Sequence, residues 1–218
     1  AYTGATTFLT NTDEVENAPT SWADIKDGDY TVALGDINGG NAQAAVIASA
    51  YAFGGDLNNL DPAFDFWTQL AEDGRINTLD ILQQNFETGE IPVGVIWSFT
   101  AIPYKNQITK YKLQANIPTD GSIMSGYASV INKYAPHPCA AALAREYIFS
   151  DEGQANLAAA GAIPTRTDVE IPEEIQNATF KSEDYANAIP MEDTDAYTKA
   201  CETVVERWQE EITPLLVQ

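Results

Sequence analysis

Residues 31–53, TVALGDINGGNAQAAVIASAYAF, pass from a brief apolar run through a glycine-rich turn into an alanine-rich stretch. TVALG (31–35) reads as a short strand, GDINGGN (35–41) as the connection, and Ala42 to Phe53 as a helix. Strand, tight turn and helix in that order open a βα unit. A second run, IPVGVIW (91–97), is almost continuously apolar, as a strand covered on both faces should be.

Working outward from these two runs, the chain has a short extended start, and SWADIKDGDY (21–30) reads as a turn of helix followed by a loop. Asp61 is expected as the N-cap of a helix with Pro62 at its first position. Phe64, Trp67 and Leu70 carry its helical spacing and Gly74 ends it. Thr78 to Phe86 reads as a third helix. Helical residues follow Trp97, YKLQANIP (111–118) reads as a strand, and YASVI (127–131) as another after the DGS turn. His137–Pro138 caps a helix with Ala141, Leu143, Ala144, Tyr147 and Ile148 as its packing face. Ser150 caps the next, with Asp151 and Glu152 in the first turn where the helix dipole favours acids. Residues 167–193 are loop-rich and acidic, and Asp195 to Leu215 forms a long last helix. The alternation implies an α/β sheet layered by helices, whose ligands sit beyond the carboxyl ends of the strands.

Composition excludes several function classes. Eleven Lys and Arg against 32 Asp and Glu give a net charge of −21, which repels phosphate backbones and anionic membrane faces. Nucleic acid is therefore not an expected partner. No apolar run approaches the roughly 20 residues of a membrane span. With 44% hydrophobic residues, the 218-residue chain can bury a substantial core. AYTGATTFLTNT at the start has neither the basic nor the apolar region of a signal peptide. Cys139 and Cys201 have no metal-binding spacing; Cys201 falls on the stripe Ala200, Val204, Val205, Trp208, Ile212 and reads as a buried thiol. A Cys139–Cys201 disulfide is the alternative in an exported protein.

The strand-end loops carry the candidate site. GDINGGN sets Asp36, Asn38 and Asn41 beside free helix N–H groups, where Gly39 and Gly40 allow close approach. The Lys-Ser/Thr ending of a Walker loop is missing, and a plain glycine-rich connection with an Asn cap is the competing reading. Trp97–Ser98 ends the buried strand with an aromatic wall and a hydroxyl. The single histidine, His137, leaves no Ser-His-Asp or metal-His constellation to assemble, and no cofactor or metal is expected. Paired carboxylates are chance events at this acidic density, so a glycosidase reading has little support. Asn177-Ala-Thr179 matches a glycosylation sequon that arises often by chance.

Four stretches carry a resemblance that spans nearly the whole chain: PTSWADIKDGDYTVALGD (19–36), AFGGD…DPAFDFWTQLAEDG (52–74), GEIPVGVIWS (89–98) and YASVINKYAPHPCAAALAREYIFSDEGQANLAAAGAIPTR (127–166). They resemble family-1 extracellular solute-binding proteins of the spermidine/putrescine, iron and phosphonate ABC importers. The resemblance implies an α/β, type II periplasmic-binding-protein-like fold that closes on its solute, with this chain supplying the second lobe and the C-terminal return segment of the first. By analogy 1–8 is a hinge strand, 9–118 the second lobe, 119–165 the hinge and return segment, and 166–218 a segment packing back on the second lobe. Most of the first lobe is then not within these residues, so exposed apolar surface and self-association of the fragment are expected.

The same resemblance implies a carrier and not an enzyme, working outside the cell or in the periplasm, as a cell-surface lipoprotein or free, with a small-molecule solute and an ABC permease as partners. Its ligand-binding residues would be Asp36, Asn38, Asn41, Trp97 and Ser98, with Asp120, Ser122 and Tyr127 on the hinge side. Polyamine binders share Trp97 and an acid near Asp36. They add a second acid where this chain has glycine and asparagine, and an aromatic and an Asp where Ser125 and Tyr127 stand. Iron binders use adjacent tyrosines, and no Tyr-Tyr pair occurs here. The lining suits a neutral or anionic organic solute better than a diamine. The alternatives are a transferase or hydrolase on the same fold, which would show turnover, and a sensory binding module.

Overall fold

The structure, a computed structural model, describes residues 1–216. Strand β1 (Tyr2–Asn11) organises it, pairing antiparallel with β4 (Val93–Trp97), β5 (Leu113–Asn116), β6 (Ser122–Tyr127) and β7 (Ile163–Pro164). With β2 (Val32–Ala33), β3 (Ile76–Asn77) and β8 (Ala188–Pro190), the sheet path runs β3-β2-β4-β1-β6-β8. Gly4 to Asn11 are all buried. Threonine fills this strand because its branched Cβ suits a pleated surface, and Thr7 Oγ1 satisfies itself locally by donating to Ala5 O at 2.9 Å.

Within IPVGVIW, Val93–Trp97 form β4 with every residue buried. Val93, Val95 and Trp97 join one core with α2 (Gly40–Ala52) and α3 (Asp61–Glu72), whereas Ile96 joins Leu9, Ala33, Phe86, Ala101 and Ile108 on the other face. The strand is covered twice, as its unbroken apolar run requires. Helix α2 is buried along most of its circumference and lies under α3 and the last helix, α9 (Thr194–Arg207). Trp67 Nε1 on α3 donates to Ser49 Oγ on α2 at 3.0 Å, and the Trp67 ring meets Trp208 edge-on at 5.5 Å.

Several elements depart from the expected limits. Leu60, not Asp61, is the N-cap of α3, so Asp61 falls in its first turn, 2.9 Å from Arg207. The helix expected over Thr78–Phe86 is confined to α4 (Gln83–Thr88). Asn77 Oδ1 accepts from Leu79 N at 3.0 Å, and this local bond competes with helix at its start. The strand expected over YASVI lies earlier, at Ser122–Tyr127. Tyr127 pairs with Tyr2, where β1 begins, so the ladder has no partner strand beyond that point.

Helix α6 (Pro138–Ile148) has no buried residue: Leu143 is 72% and Tyr147 48% exposed. Its periodicity identified residues sharing a face, but that face is uncovered. Ser150 does cap α7 (Asp151–Ala159), its Oγ accepting from Gly153 N at 3.1 Å. The expected last helix is α9 followed by a π turn over Trp208–Ile212 and a 3-10 turn over Thr213–Leu215. The loop-rich 167–193 stretch also holds α8 (Glu173–Ala178). Cys139 is exposed and Cys201 half-buried, and both thiols are free; burial pushes the Cys201 thiol up. Among the described residues no helix is long and apolar enough to cross a membrane.

Candidate functional site

Strands β2 and β4 are parallel, with Val32 opposite Val93 and Ala33 opposite Gly94, so their carboxyl ends lie side by side. Each feeds a helix there: β2 leads through Gly35–Gly39 into α2, and β4 leads directly into α5 (Ser98–Gln107). Gly35 has φ +79°, the left-handed conformation that turns the chain out of the sheet. A turn follows in which Gly39 N donates to Asp36 O at 2.9 Å. Asp36 Oδ1 accepts from the backbone and side-chain nitrogens of Asn38, at 3.0 and 2.9 Å. These two bonds hold the exposed Asp36 carboxyl below its usual range.

Neither helix start has a side-chain cap: the N-cap positions are Gly39 and Trp97. A Cβ on Gly40 would meet nothing within 4 Å, so the space above the α2 start is open. The exposed α2 start therefore presents uncapped backbone N–H groups and a positive dipole end on a ledge at the carboxyl ends of β2 and β4, whereas at the α5 start Ser98 is fully buried. Such an arrangement attracts anionic or carbonyl oxygens.

Aromatic rings wall the ledge. Trp97 stacks on Phe99, centroids 6.0 Å apart and planes 12° apart. Phe99 meets Tyr2 and Tyr127 edge-on, each at 5.3 Å, and Tyr2 stacks on Tyr127 at 4.9 Å. Tyr127 remains 38% exposed, and partial burial raises its hydroxyl pKa. Phe99 and Tyr2 were not among the expected residues. An aromatic two positions after the strand-end Trp97, in the first turn of α5, is the sequence signal for Phe99; Tyr2 depends on the β1–β6 register, which no local pattern reports.

The other expected residues have structural occupations. Asn41 Nδ2 donates to Val95 O at 2.7 Å and Leu34 O at 3.3 Å, bolting the loop to β4. Ser98 is fully buried and its Oγ accepts from Ala5 N at 3.2 Å. Ser122 is fully buried and donates to Thr6 O at 2.9 Å. Asp120 accepts from Trp22 N and Ala23 N, at 2.9 and 3.2 Å, at the start of α1 (Trp22–Asp27), so its carboxylate is spent on that helix. Asp36, Asn38 and Tyr127 are the expected residues exposed at the ledge, whereas Trp97 is 8% exposed and belongs to the core at the strand end.

A cavity of about 810 Å³ lies elsewhere, between the end of α7, β7 and the 169–185 stretch, and none of the expected residues lines it. The ledge is the stronger candidate because it combines the ends of two parallel strands, an open helix start and the aromatic cluster. Among the described residues no group of three or more His, Cys, Asp or Glu is placed to hold a metal ion. His137, the N-cap of α6, is exposed.

Residues 1–189 match the family described as bacterial extracellular solute-binding protein. Among solved structures, the periplasmic binding protein AfuA from Actinobacillus pleuropneumoniae, with fructose-6-phosphate bound, superposes with a TM-score of 0.69 at 21% identity, over 97% of this chain and 67% of AfuA. An ABC transporter protein from Clostridium perfringens gives 0.70 at 20% identity, over 97% and 68% of the respective chains. The spermidine/putrescine substrate-binding protein PotD from Streptococcus pneumoniae gives 0.66 at 17%, over 97% and 68%. This chain thus spans about two thirds of their length, and at these identities the likeness shows the fold. A comparison with curated proteins returned no match.

Proposed function

This chain belongs to the bacterial extracellular solute-binding proteins, and from that premise we propose that it reversibly captures a small polar organic solute for delivery to an ABC permease. The fold is that of type II periplasmic binding proteins, α/β throughout. The observation that supports the reading is the open, uncapped start of α2 after β2, beside the parallel strand β4 whose end leads into the Trp97–Phe99 aromatic cluster. Backbone N–H groups would hold an anionic or carbonyl oxygen, Trp97 and Phe99 would cover an apolar face, and Asp36 and Asn38 would accept and donate at the rim. No bond chemistry is required of any of them.

In this reading residues 9–118 supply one lobe, β1 and 119–165 the crossing and return to the other, and 166–218 pack back on the first. The opposing wall of the cleft comes from the part of the relatives' length that these residues do not span. The exposed Leu143 and Tyr147 face is then where copies of this chain would self-associate. Capture is completed by closure, which shifts an open–closed equilibrium. A place outside the cytoplasmic membrane, held by a lipid anchor or free in a periplasm, fits delivery to a permease.

A thermal-shift screen against sugar phosphates, glycerol phosphate, thiamine, neutral amino acids, putrescine and spermidine tests the solute class. A phosphorylated or neutral solute is expected to raise Tm, because ligand binding to the native state alone stabilises it by mass action. The largest shift from a polyamine would overturn the preference for neutral and anionic solutes. Consumption of any compound in the screen would favour an enzyme.

A further inference from the structure

The SDEGQ run at 150–154 is the sequence feature that the ledge does not use. Ser150 Oγ donates to Tyr147 O at 2.7 Å while capping Gly153 N. A Cβ at Gly153 would lie 2.0 Å from Tyr147 O, so only glycine lets α7 start this close over the end of α6. That close approach seats Gln154, which is 0% exposed. Its Nε2 donates to Ile148 O at 2.8 Å and Ala1 O at 3.2 Å, and its Oε1 accepts from Thr165 N at 2.9 Å and Arg166 N at 3.2 Å. One buried amide thus ties the end of α6, the start of β1 and the chain leaving β7. Thr165 Oγ1 adds a bond to Ala1 O at 3.1 Å.

What Gln154 holds is the strand start that carries Tyr2. Tyr2 pairs with Tyr127 across β1 and β6, stacks on its ring and meets Phe99 edge-on. We infer that Gln154 is a positioning residue of the solute site, setting the aromatic wall through its hold on Ala1. The solute part of this statement rests on the proposed function; the hold on the tyrosine pair does not.

The inference needs an amide, because one end must accept twice and the other donate twice. A Gln154→Glu side chain has the same shape, but an ionised carboxylate would turn an oxygen toward the carbonyls of Ala1 and Ile148. Protonated, it can donate to one of them. The charged groups facing this point are already paired or lie outward. Arg166 donates to Phe149 O, Asp151 and Asp168, and Glu152 is exposed on α7; Ala1 N donates to Tyr127 O. Burial and the two carbonyls therefore raise the folded-state pKa of the new acid. A raised pKa means that stability is retained below the unfolded value, about 4.3 for Glu, and is lost as pH rises through the folded one.

The test compares the chain with Gln154→Glu and Gln154→Leu at about pH 4 and about pH 8, by Tm and by the tyrosine near-UV circular dichroism, without any solute. Relative to the parent at each pH, Gln154→Glu is expected to lose several degrees of Tm and part of the tyrosine signal at the higher pH and to recover both at the lower. Gln154→Leu is expected to differ at both; should it not fold, the Glu pair of measurements still decides. Gln154→Glu tracking the parent at both pH values, or differing equally at both, would overturn the inference. So would a pH-dependent Tm with an unchanged tyrosine signal, which would reduce Gln154 to a structural residue. Because no solute enters, a failed solute screen and a failed hold on the wall are separate results.

Discussion

Trp22→Ala is expected to destabilise the chain by about 3–5 kcal/mol, the range for truncating a buried aromatic. Trp22 is fully buried where α1 meets the sheet. Its ring stands edge-on to Phe8, Phe66 and Trp67 at 4.9, 5.9 and 6.0 Å, which joins β1 to α3. Its Nε1 donates to Gly121 O at 2.7 Å, so truncation also orphans a buried carbonyl. Trp22→Phe keeps most of the ring and is expected to cost less than half as much. Urea midpoints at constant slope read the difference, and a loss for Trp22→Ala under about 1 kcal/mol would show that α1 is dispensable to the core.

Gly121→Val is the second large effect. A Cβ there would lie 2.6 Å from Ala48 O and 2.9 Å from Ala52 N, both backbone atoms of α2 that cannot rotate away. Either the chain entering β6 lifts from α2 or the helix shifts. A loss near the upper end of the roughly 1–3 kcal/mol overpacking range is expected in urea unfolding. Because Gly121 O is the acceptor for Trp22, a double variant with Trp22→Ala should lose less than the sum of the two. Strict additivity would mean that the two residues do not report on one contact. The consequence reaches the site, since α2 carries the Asp36–Gly39 turn at its start.

The parts of the fold that were legible in the chain are those whose burial is written locally. IPVGVIW had to be covered on both faces and is, and the glycine-rich connection after TVALG does turn a strand into a helix. YTGATTFLTN, by contrast, reads as a modest extended start, yet it is the central strand. Its burial comes from β4, β5, β6 and β7, far along the chain, and threonines do not announce such partners. The periodicity of α6 named a face of which Leu143, Ala144 and Tyr147 stay exposed among the described residues, for the same reason.

The candidate site divides along the same line. Trp97 and Asp36 follow from the rule that ligands meet strand ends, and both stand at the ledge. The resemblance puts Asp120 on the hinge side of the site, but a carboxylate binds the nearest unpaired N–H groups, and here those are the first turn of α1. Tyr2 enters the wall only through the pairing of β1 with β6, a tertiary fact, whereas Phe99 lies two positions after Trp97 and within reach of the same strand-end rule.

The central claim is that solute binds on the ledge between the starts of α2 and α5. Amide-resolved NMR titration of the chain with the screened solutes tests it most directly, because weak contacts with one wall of a cleft still move resonances. The account predicts that one solute shifts the backbone amides of Gly39 to Asn41 and Ser98 to Phe99 together with the Trp97 indole, saturably and without new product signals. Shifts confined to the cavity between α7 and the 169–185 stretch, or signals of a converted compound, would contradict it.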